Sequence, residues 1–441
     1  MSVELRPLGV KCNIQCQYCY QNPQRDAGNV VHKFDLERMK AAVIEEGGPF
    51  TLFGGEPLLV PLDVLENLWS WGLEKWGQNG IQTNGTLIND DHIRLFKQYN
   101  VHVGLSVDGP GELNDVRWVG NLTRTRDATK KSNAAIERLC NEEIPFSLIV
   151  TLHRGNATAD KLPAIHDWFR YLDAIGLTSA RLHVLEVEDR AIEQKYGLTT
   201  EENLAAFQRF RELEKELTGL RFDVFKDLRN LLIGNDSYST CIWHACDPYT
   251  TRAVRGVEGS GQRSNCGRTN KDGIDFVKAD RAGFERYLAL YHTPQEYGGC
   301  KDCRFFLMCK GQCPGTSDSG DWRNRSEHCN LWKGLFGLIE DDLLNERLTP
   351  ISARPDRSEI ECVMLAAWVA GQNLDLSTAL QRMTQYGNDG ETHNTHGDHT
   401  DGHGDHLDGH GDHTDAGSVA RRVSVFGDTG DATQVEVRAD D

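Results

Sequence analysis

LGVKCNIQCQYCYQNP, residues 8–23, places Cys12, Cys16 and Cys19 in a CxxxCxxC spacing within the first twenty residues of a 441-residue chain. Three thiolates at that spacing can hold three irons of a [4Fe–4S] cube and leave the fourth iron open to a small molecule. An open iron means chemistry. Other uses of cysteine fit less well. A structural zinc site needs four ligands, usually in paired CxxC knuckles, and this loop supplies three at unequal spacing with no histidine close by. A disulfide framework belongs to secreted chains, and the opening MSVELRPLG shows no apolar leader. The thirteen cysteines therefore read as reduced ligands in a cytoplasmic protein.

Length and composition fit an enzyme of more than one domain. At 441 residues the chain exceeds what one core usually organises, and 39% hydrophobic content is enough to bury a sizeable interior. No stretch approaches the apolar length of a membrane span, so no membrane is expected as a partner. A formal net charge of -18 argues against a nucleic-acid footprint. The charge is uneven: from Glu391 onward twelve acidic and three basic residues carry half of it.

Outward from the cysteine loop, short apolar runs alternate with longer helical patterns, the rhythm of βα units and a parallel sheet. Strands are expected at Val3 to Leu8, Pro49 to Phe53, Gly80 to Thr83, Val101 to Val107, Phe146 to Leu152 and Ala180 to Val187. Helical spacing covers Asp35 to Glu46, Leu62 to Trp71, Asp90 to Gln98, Ser132 to Asn141 and Lys161 to Ala174. Six strands predict an α/β fold with a partial (β/α)6 TIM-type barrel, and the polar motifs fall just after the strands, where such a barrel builds its active site.

Those motifs are Gly54-Gly55-Glu56-Pro57, Gln82-Thr83-Asn84-Gly85 and Ser106-Val107-Asp108-Gly109-Pro110. Glycines permit torsions and close approach that a Cβ would block, although a tight strand-to-helix turn uses the same residues. A polar pair at a strand end can equally cap a helix. Behind the CxxxCxxC loop, with the aromatic Tyr18 before its last cysteine, the set resembles the radical S-adenosylmethionine (SAM) enzymes. That resemblance implies SAM as cofactor, chelating the open iron through its amino and carboxylate groups and cleaved to a 5′-deoxyadenosyl radical. It implies that Gly54, Gly55 and Glu56 meet the SAM amino group, that Tyr18 and Gln82 share the cofactor site, and that Ser106 and Asp108 lie near the ribose or carboxylate. Relatives of the sulfatase-maturing enzymes follow this strand with an arginine for the SAM carboxylate, which a guanidinium binds bidentately. Arg117, in Asn114-Asp115-Val116-Arg117, is that candidate at a spacing one residue shorter. A solvated surface arginine is the alternative.

A second cysteine group is more diagnostic. Cys300-x2-Cys303-x5-Cys309-x3-Cys313 is followed after fifteen residues by Cys329 and preceded by Cys246-x14-Gly261-x4-Cys266. Thiols at that density make little sense without metal, with zinc knuckles as the competing use. The spacing resembles the seven-cysteine SPASM pattern. By that resemblance Cys300, Cys303, Cys309 and Cys329 hold one auxiliary [4Fe–4S] cluster, and Cys246, Cys266 and Cys313 hold another. Cys241, in TCIWHAC, is assigned as the fourth ligand of the latter, giving three clusters in all; an open iron there is the alternative and would imply direct binding of substrate. Cys140 and Cys362 are left as ordinary buried residues.

SPASM enzymes mostly act on peptides or proteins, so the resemblance implies a radical SAM oxidoreductase that crosslinks or oxidises a peptide side chain. A reductant such as flavodoxin or ferredoxin is implied with it. Sulfatase maturation is the runner-up, because sulfatase maturases carry an aspartate base after the cysteine of the Gly-x4-Cys element and here Gly267 follows Cys266. Asp247, after Cys246, and Glu186 are the acid–base candidates, with His183 and Glu188 beside Glu186. A carboxylate beside a cluster can also cap a loop. An iron–sulfur electron carrier is the reading from another class, although a carrier needs no nucleotide site.

The expected organisation is a radical SAM barrel over 1–235, an auxiliary-cluster domain over 236–335, a helical extension over 336–386 and a low-complexity tail over 387–441. Helical patterns run from Asn330 to Arg347 and from Arg357 to Met383. The chain leaves no room for a leader-binding module ahead of the barrel, so peptide recognition falls to a separate protein, the barrel or the residues after the clusters. The tail holds HGDHTDG, HGDHLDG and HGDHTDA from His396, His403 and His410. Such composition cannot bury a core and reads as disordered, with metal binding or a tethered substrate segment as alternatives. Arg421 to Arg438 alternates valines and reads as a short strand at most.

Overall fold

Alternation decides the first strand: Val3 and Leu5 are fully buried on one face, which leaves Glu4 and Arg6 on the other. The same period recurs along the sheet of this computed structural model, which describes residues 2–28, 33–187, 189–247, 254–269, 283–391, 421–426 and 432–437. Strands β1 (Val3–Arg6), β2 (Phe50–Leu52), β3 (Asn79–Thr83), β4 (Val101–Ser106), β5 (Phe146–Leu152) and β6 (Ser179–Val184) form one parallel sheet in chain order. Register aligns apolar residues across it, with Leu5 opposite Leu52, Ile81 opposite Val103, Leu105 opposite Leu148 and Val150 opposite Leu182. Each fully buried aliphatic side chain contributes roughly 1.5–3 kcal/mol.

Helices return the chain between the strands. Leu36–Glu46, Asp90–Gln98 and Leu122–Asn141 start where the Asp35, Asn89 and Asn121 side chains accept a backbone N–H from three residues on, within the first turn, at Arg38, His92 and Arg124. Leu36–Glu46 stops at Gly47, whose φ of 72° suits glycine.

Three strands join those expected. β7 (Arg221–Phe222) extends the sheet beyond β6, and β8 (Arg255–Glu258) pairs parallel with β1 on the opposite flank, followed by antiparallel β9 (Arg263–Ser264). Among the described residues the sheet therefore has nine strands rather than six, and its flank beside β1 is built from the segment that carries the second cysteine group. The pattern from Arg357 to Met383 also divides: helices Arg357–Val369 and Leu376–Glu391 are separated at Gly371, in the left-handed region at φ 70°. Asp236 fixes the second of them by accepting from the backbone N–H of Leu376 at 2.9 Å. Strands β10 (Arg421–Phe426) and β11 (Ala432–Val437) form an antiparallel hairpin, two strands where one was expected. The histidine heptads lie outside the described residues, as does Glu188. Among the described residues no helix is long and apolar enough to cross a membrane.

Candidate active site

The cysteine loop is seated on the turn after β2 by its own backbone. Gly55 N–H donates to Gly9 O at 2.9 Å and Glu56 N–H to Lys11 O at 2.9 Å, immediately ahead of Cys12. A Cβ on Gly54 would stand 2.3 Å from Gly9 O, and one on Gly55 would stand 2.1 Å from Lys11 O. Both obstacles are main chain, so only glycine fits. The two glycines therefore serve the seat of the thiol loop. The Glu56 side chain is likewise spent within the fold. It is buried and accepts from Leu58 N–H at 3.0 Å, Thr83 Oγ1 at 2.7 Å and Asn84 N–H at 2.9 Å, tying the turn after β2 to the turn after β3. Burial pushes its carboxyl up, and these donors pull it back. Gln82 Nε2 donates to Ser106 Oγ at 2.7 Å across neighbouring strands.

A polar network surrounds the middle thiol. Gln15 N–H donates to Trp118 O and Gln17 N–H to Val116 O, so the backbone on both sides of Cys16 is strapped to both sides of Arg117. Arg117 is accordingly buried rather than a surface arginine, its side chain 11% exposed. It donates to the Tyr18 hydroxyl at 2.9 Å and lies 3.8 Å from Asp108 Oδ1, while Tyr18 donates to Asp108 Oδ2 at 2.5 Å. His153, after β5, brings Nε2 to 3.5 Å from Asp108 Oδ2. Its Nδ1 accepts from Gly155 N–H, which sets the tautomer. Burial raises the Asp108 carboxyl, but Arg117 and His153 outweigh it and hold the group below the usual carboxylate range. Burial pushes the Tyr18 hydroxyl far up, keeping it a donor.

Each early thiol also has a cation or an N–H donor beside it. Asn84 Nδ2 lies 4.0 Å from Cys12 Sγ, Arg25 NH2 lies 4.0 Å from Cys19 Sγ, and the Arg117 guanidinium opposes the burial that pushes Cys16 up to about 12. Donors so placed suit thiolates. Three thiolates in one loop with the Asp108–Arg117–Tyr18 network alongside fit a [4Fe–4S] cube with an open iron and a polar cofactor next to it.

The later cysteines fall into two neighbourhoods. Burial pushes Cys241 up to about 12, with Cys313 and Cys266 the next contributions, and Cys246 is raised by burial and then by Cys266, Cys313 and Cys241. Cys241 is exposed, whereas Cys313 is buried. The other neighbourhood joins Cys309 to Cys300, Cys329 and Cys303. A small cavity is lined by all four of these cysteines together with Phe305, Phe306, Trp332 and Phe336, and by Arg325 and Lys333. A four-thiol cavity with two cations fits a ligated cluster that carries negative charge. Among the described residues no three His, Cys, Asp or Glu side chains converge on one point as a single ion requires. Cys140 and Cys362 are half-buried and stand outside both groups.

The acid–base candidates are not brought together. Asp247 is 2% exposed and its electrostatic neighbour is Tyr287, in the helix Glu285–His292. Glu186, after β6, is ion-paired with Arg268. Sequence reasoning missed that arginine, which follows Cys266-Gly267 and lies 6.0 Å from the ring of Tyr20, just after the early thiols. Burial and then Arg268 hold His183 far below the ordinary histidine range, so it stays neutral. Glu4, another omission, accepts from Gly267 N–H at 3.1 Å and so ties the Cys266 turn to β1. Its signal was a charged residue alternating with buried aliphatics inside a strand.

The chain is similar in sequence and in fold to known proteins. The Radical SAM superfamily model matches residues 7–168. A cysteine-type anaerobic sulfatase-maturating enzyme of Clostridium perfringens (strain 13 / Type A) is 25% identical over 388 residues, covering 78% of this chain and 98% of its own. An uncharacterized protein of Synechocystis sp. is 30% identical over 353 residues, covering 71% and 83%. Among solved structures, native anSMEcpe with bound AdoMet shares the fold at a TM-score of 0.60 and 20% identity, over 78% of this chain and 98% of that one. Motif geometry, fold and sequence relationship lead to one conclusion: this chain belongs to the radical SAM superfamily and is an enzyme.

Proposed function

We propose that the chain modifies a peptide or protein side chain, by crosslinking or oxidation, using the early thiols for the SAM-binding cluster and the 236–335 region for two auxiliary clusters. The observation that carries this reading is the partition of eleven cysteines into the loop trio and two groups of four. Cys12, Cys16 and Cys19 would hold the SAM-binding cluster, and SAM bound beside them would supply the radical chemistry of hydrogen abstraction. The chain's own residues do the rest. Gly54, Gly55 and Glu56 hold the cysteine loop against β2 and β3, and Arg117, Asp108, Tyr18, Gln82 and Ser106 form the polar wall of the cofactor site. Arg268 and Glu186 place a donor and an acceptor side by side after β6, a match for a peptide group. The relatives support a peptide substrate: a solved structure of anSMEcpe holds AdoMet and the Cp18Cys peptide.

The test is anaerobic reconstitution followed by incubation with SAM and a reductant. About twelve irons per chain and release of 5′-deoxyadenosine are expected, with both cleavage and four of the irons lost when Cys12, Cys16 and Cys19 are replaced by alanine. Full iron without cleavage would establish an electron carrier instead. Sulfatase maturation is the second reading, favoured by the near full-length match to a sulfatase-maturating enzyme. Mass analysis of a sulfatase-derived cysteine or serine peptide after turnover decides it, and conversion to formylglycine is the outcome that would replace the first reading.

A further inference from the structure

Two carboxamides stand directly before ligand candidates of the same auxiliary group. Asn265 precedes Cys266 and Gln312 precedes Cys313, and each is 2% exposed. Both side-chain atoms of each amide are buried, and among the described residues neither has a hydrogen-bond partner. Four buried, unpaired polar atoms on the residues directly before two thiols of one group are a concentrated cost, because a buried amide that makes no hydrogen bond has lost its water for nothing.

The main chain shows that these positions are held in place rather than loose. Arg6, 4% exposed, donates from NH2 to Asn265 O at 2.8 Å. Arg286, 1% exposed, donates from NH1 to Gln312 O at 3.2 Å. Gln312 also sits in the left-handed region at φ 60°, a conformation that a residue with a Cβ adopts only when its surroundings impose it. In each case a buried arginine fixes the carbonyl and leaves the amide of the same residue without a partner.

We infer that Asn265 and Gln312 are N–H donors to the sulfurs of the cluster held by Cys241, Cys246, Cys266 and Cys313, and that they set its reduction potential. The inference rests on the reading of those four thiols as a cluster site. Hydrogen bonds to cluster sulfur stabilise the reduced, more negative state and raise the potential. The two amides act through the cluster and are positioning residues. Their presence makes this group a better electron acceptor, the direction required for a substrate radical to be oxidised there. The electron then leaves the substrate radical for the cluster, and a proton leaves the substrate with it.

The experiment is an EPR-monitored redox titration of the reconstituted full chain and of Asn265→Leu and Gln312→Leu. Variants that keep about twelve irons are expected to show one auxiliary midpoint lowered by a tenfold shift of the reduction equilibrium, 59 mV for one electron. Full iron with unchanged midpoints in both variants overturns the inference. About eight irons in the parent protein would instead remove the cluster itself and the functional reading with it. Should the leucine variants not hold clusters, parent protein labelled with ¹⁵N in its asparagine and glutamine side-chain amides gives the answer by pulsed EPR. Coupling of ¹⁵N to the reduced-cluster spin is expected, and its absence, as when ordered water takes the amide bonds, overturns the proposal.

Discussion

The Tyr18 hydroxyl donates to the Asp108 carboxylate at 2.5 Å, joining the cysteine loop to the end of β4 across ninety residues of chain. Asp108 also receives Thr151 N–H at 3.0 Å and stands 3.8 Å from Arg117, so one carboxylate ties three elements together around Cys16. Replacing it by alanine leaves the Arg117 charge buried without its counter-ion. A loss of about 3–5 kcal/mol is expected, read as a lowered anaerobic melting temperature. Tyr18→Phe removes one hydroxyl and costs about 1–3 kcal/mol. Equal losses for the two would show that Arg117 does not depend on Asp108.

The glycine seat makes a sharper claim. In Gly55→Ala the new methyl group meets the Lys11 carbonyl, a main-chain atom that cannot turn aside. The early loop should lose its place while the later thiols keep theirs. Iron analysis of reconstituted Gly55→Ala is expected to return about eight irons against about twelve for the parent. An undiminished count would mean that the loop does not need this seat.

Arg268 offers a way to separate radical generation from use of the radical. Its ion-pair partner Glu186 lies beyond β6, on a different strand end from Asp108 after β4. Arg268→Met is expected to retain release of 5′-deoxyadenosine from SAM and reductant alone, and to reduce modification of a peptide substrate at least tenfold, a loss of about 1.4 kcal/mol in transition-state stabilisation. Mass spectrometry of the peptide reads the second quantity and chromatography the first. Parallel loss of both would place Arg268 in the cofactor site.

His166 gives the chain an acid sensitivity remote from the clusters. Burial, and then Arg170 and Arg209, lower it to about 4 in the helix Leu162–Ala174, where its ring packs 4.9 Å from that of Phe210. Unfolded histidine takes its proton near pH 6.5, so below that value the unfolded state binds more protons than the folded one. Stability from this group is complete above pH 6.5 and declines as pH falls toward about 4, at up to about 1.4 kcal/mol per pH unit. Denaturant titrations of the parent and of His166→Gln between pH 7 and 4 are expected to converge as pH falls. Parallel curves would show that His166 is not titrating.

Where side chains repeat with a simple period, the chain could be read directly. β5 was expected at Phe146–Leu152 and occupies those residues, because Phe146, Leu148, Val150 and Leu152 alternate inward over its whole length. β8 and β9 were missed because they are four and two residues long and flank the turn Gly259-Ser260-Gly261, which reads as loop. The helix Thr200–Glu216 was missed despite a capping box between Thr199 and Glu202. The site divides in the same way. Cysteine spacing is local and is read directly from the chain, whereas Arg117's burial depends on main-chain bonds from Gln15 and Gln17, some hundred residues earlier. Arg268, Glu4 and the unpaired amides of Asn265 and Gln312 become visible only when β1 and the Cys266 turn are brought side by side.

The parallel pairing of β8 with β1 bears on how this enzyme can be dissected. Val3 to Arg6 run in register with Arg255 to Glu258, and two residues beyond Arg6 the same chain enters the stretch that becomes the thiol loop. A genetic cut at 235 would leave β1 with an unpatched edge of main-chain donors and acceptors, the kind of surface that seeds aggregation. The position of the loop relative to the later cysteine-rich segment is therefore fixed through the backbone pairing of β1 with β8.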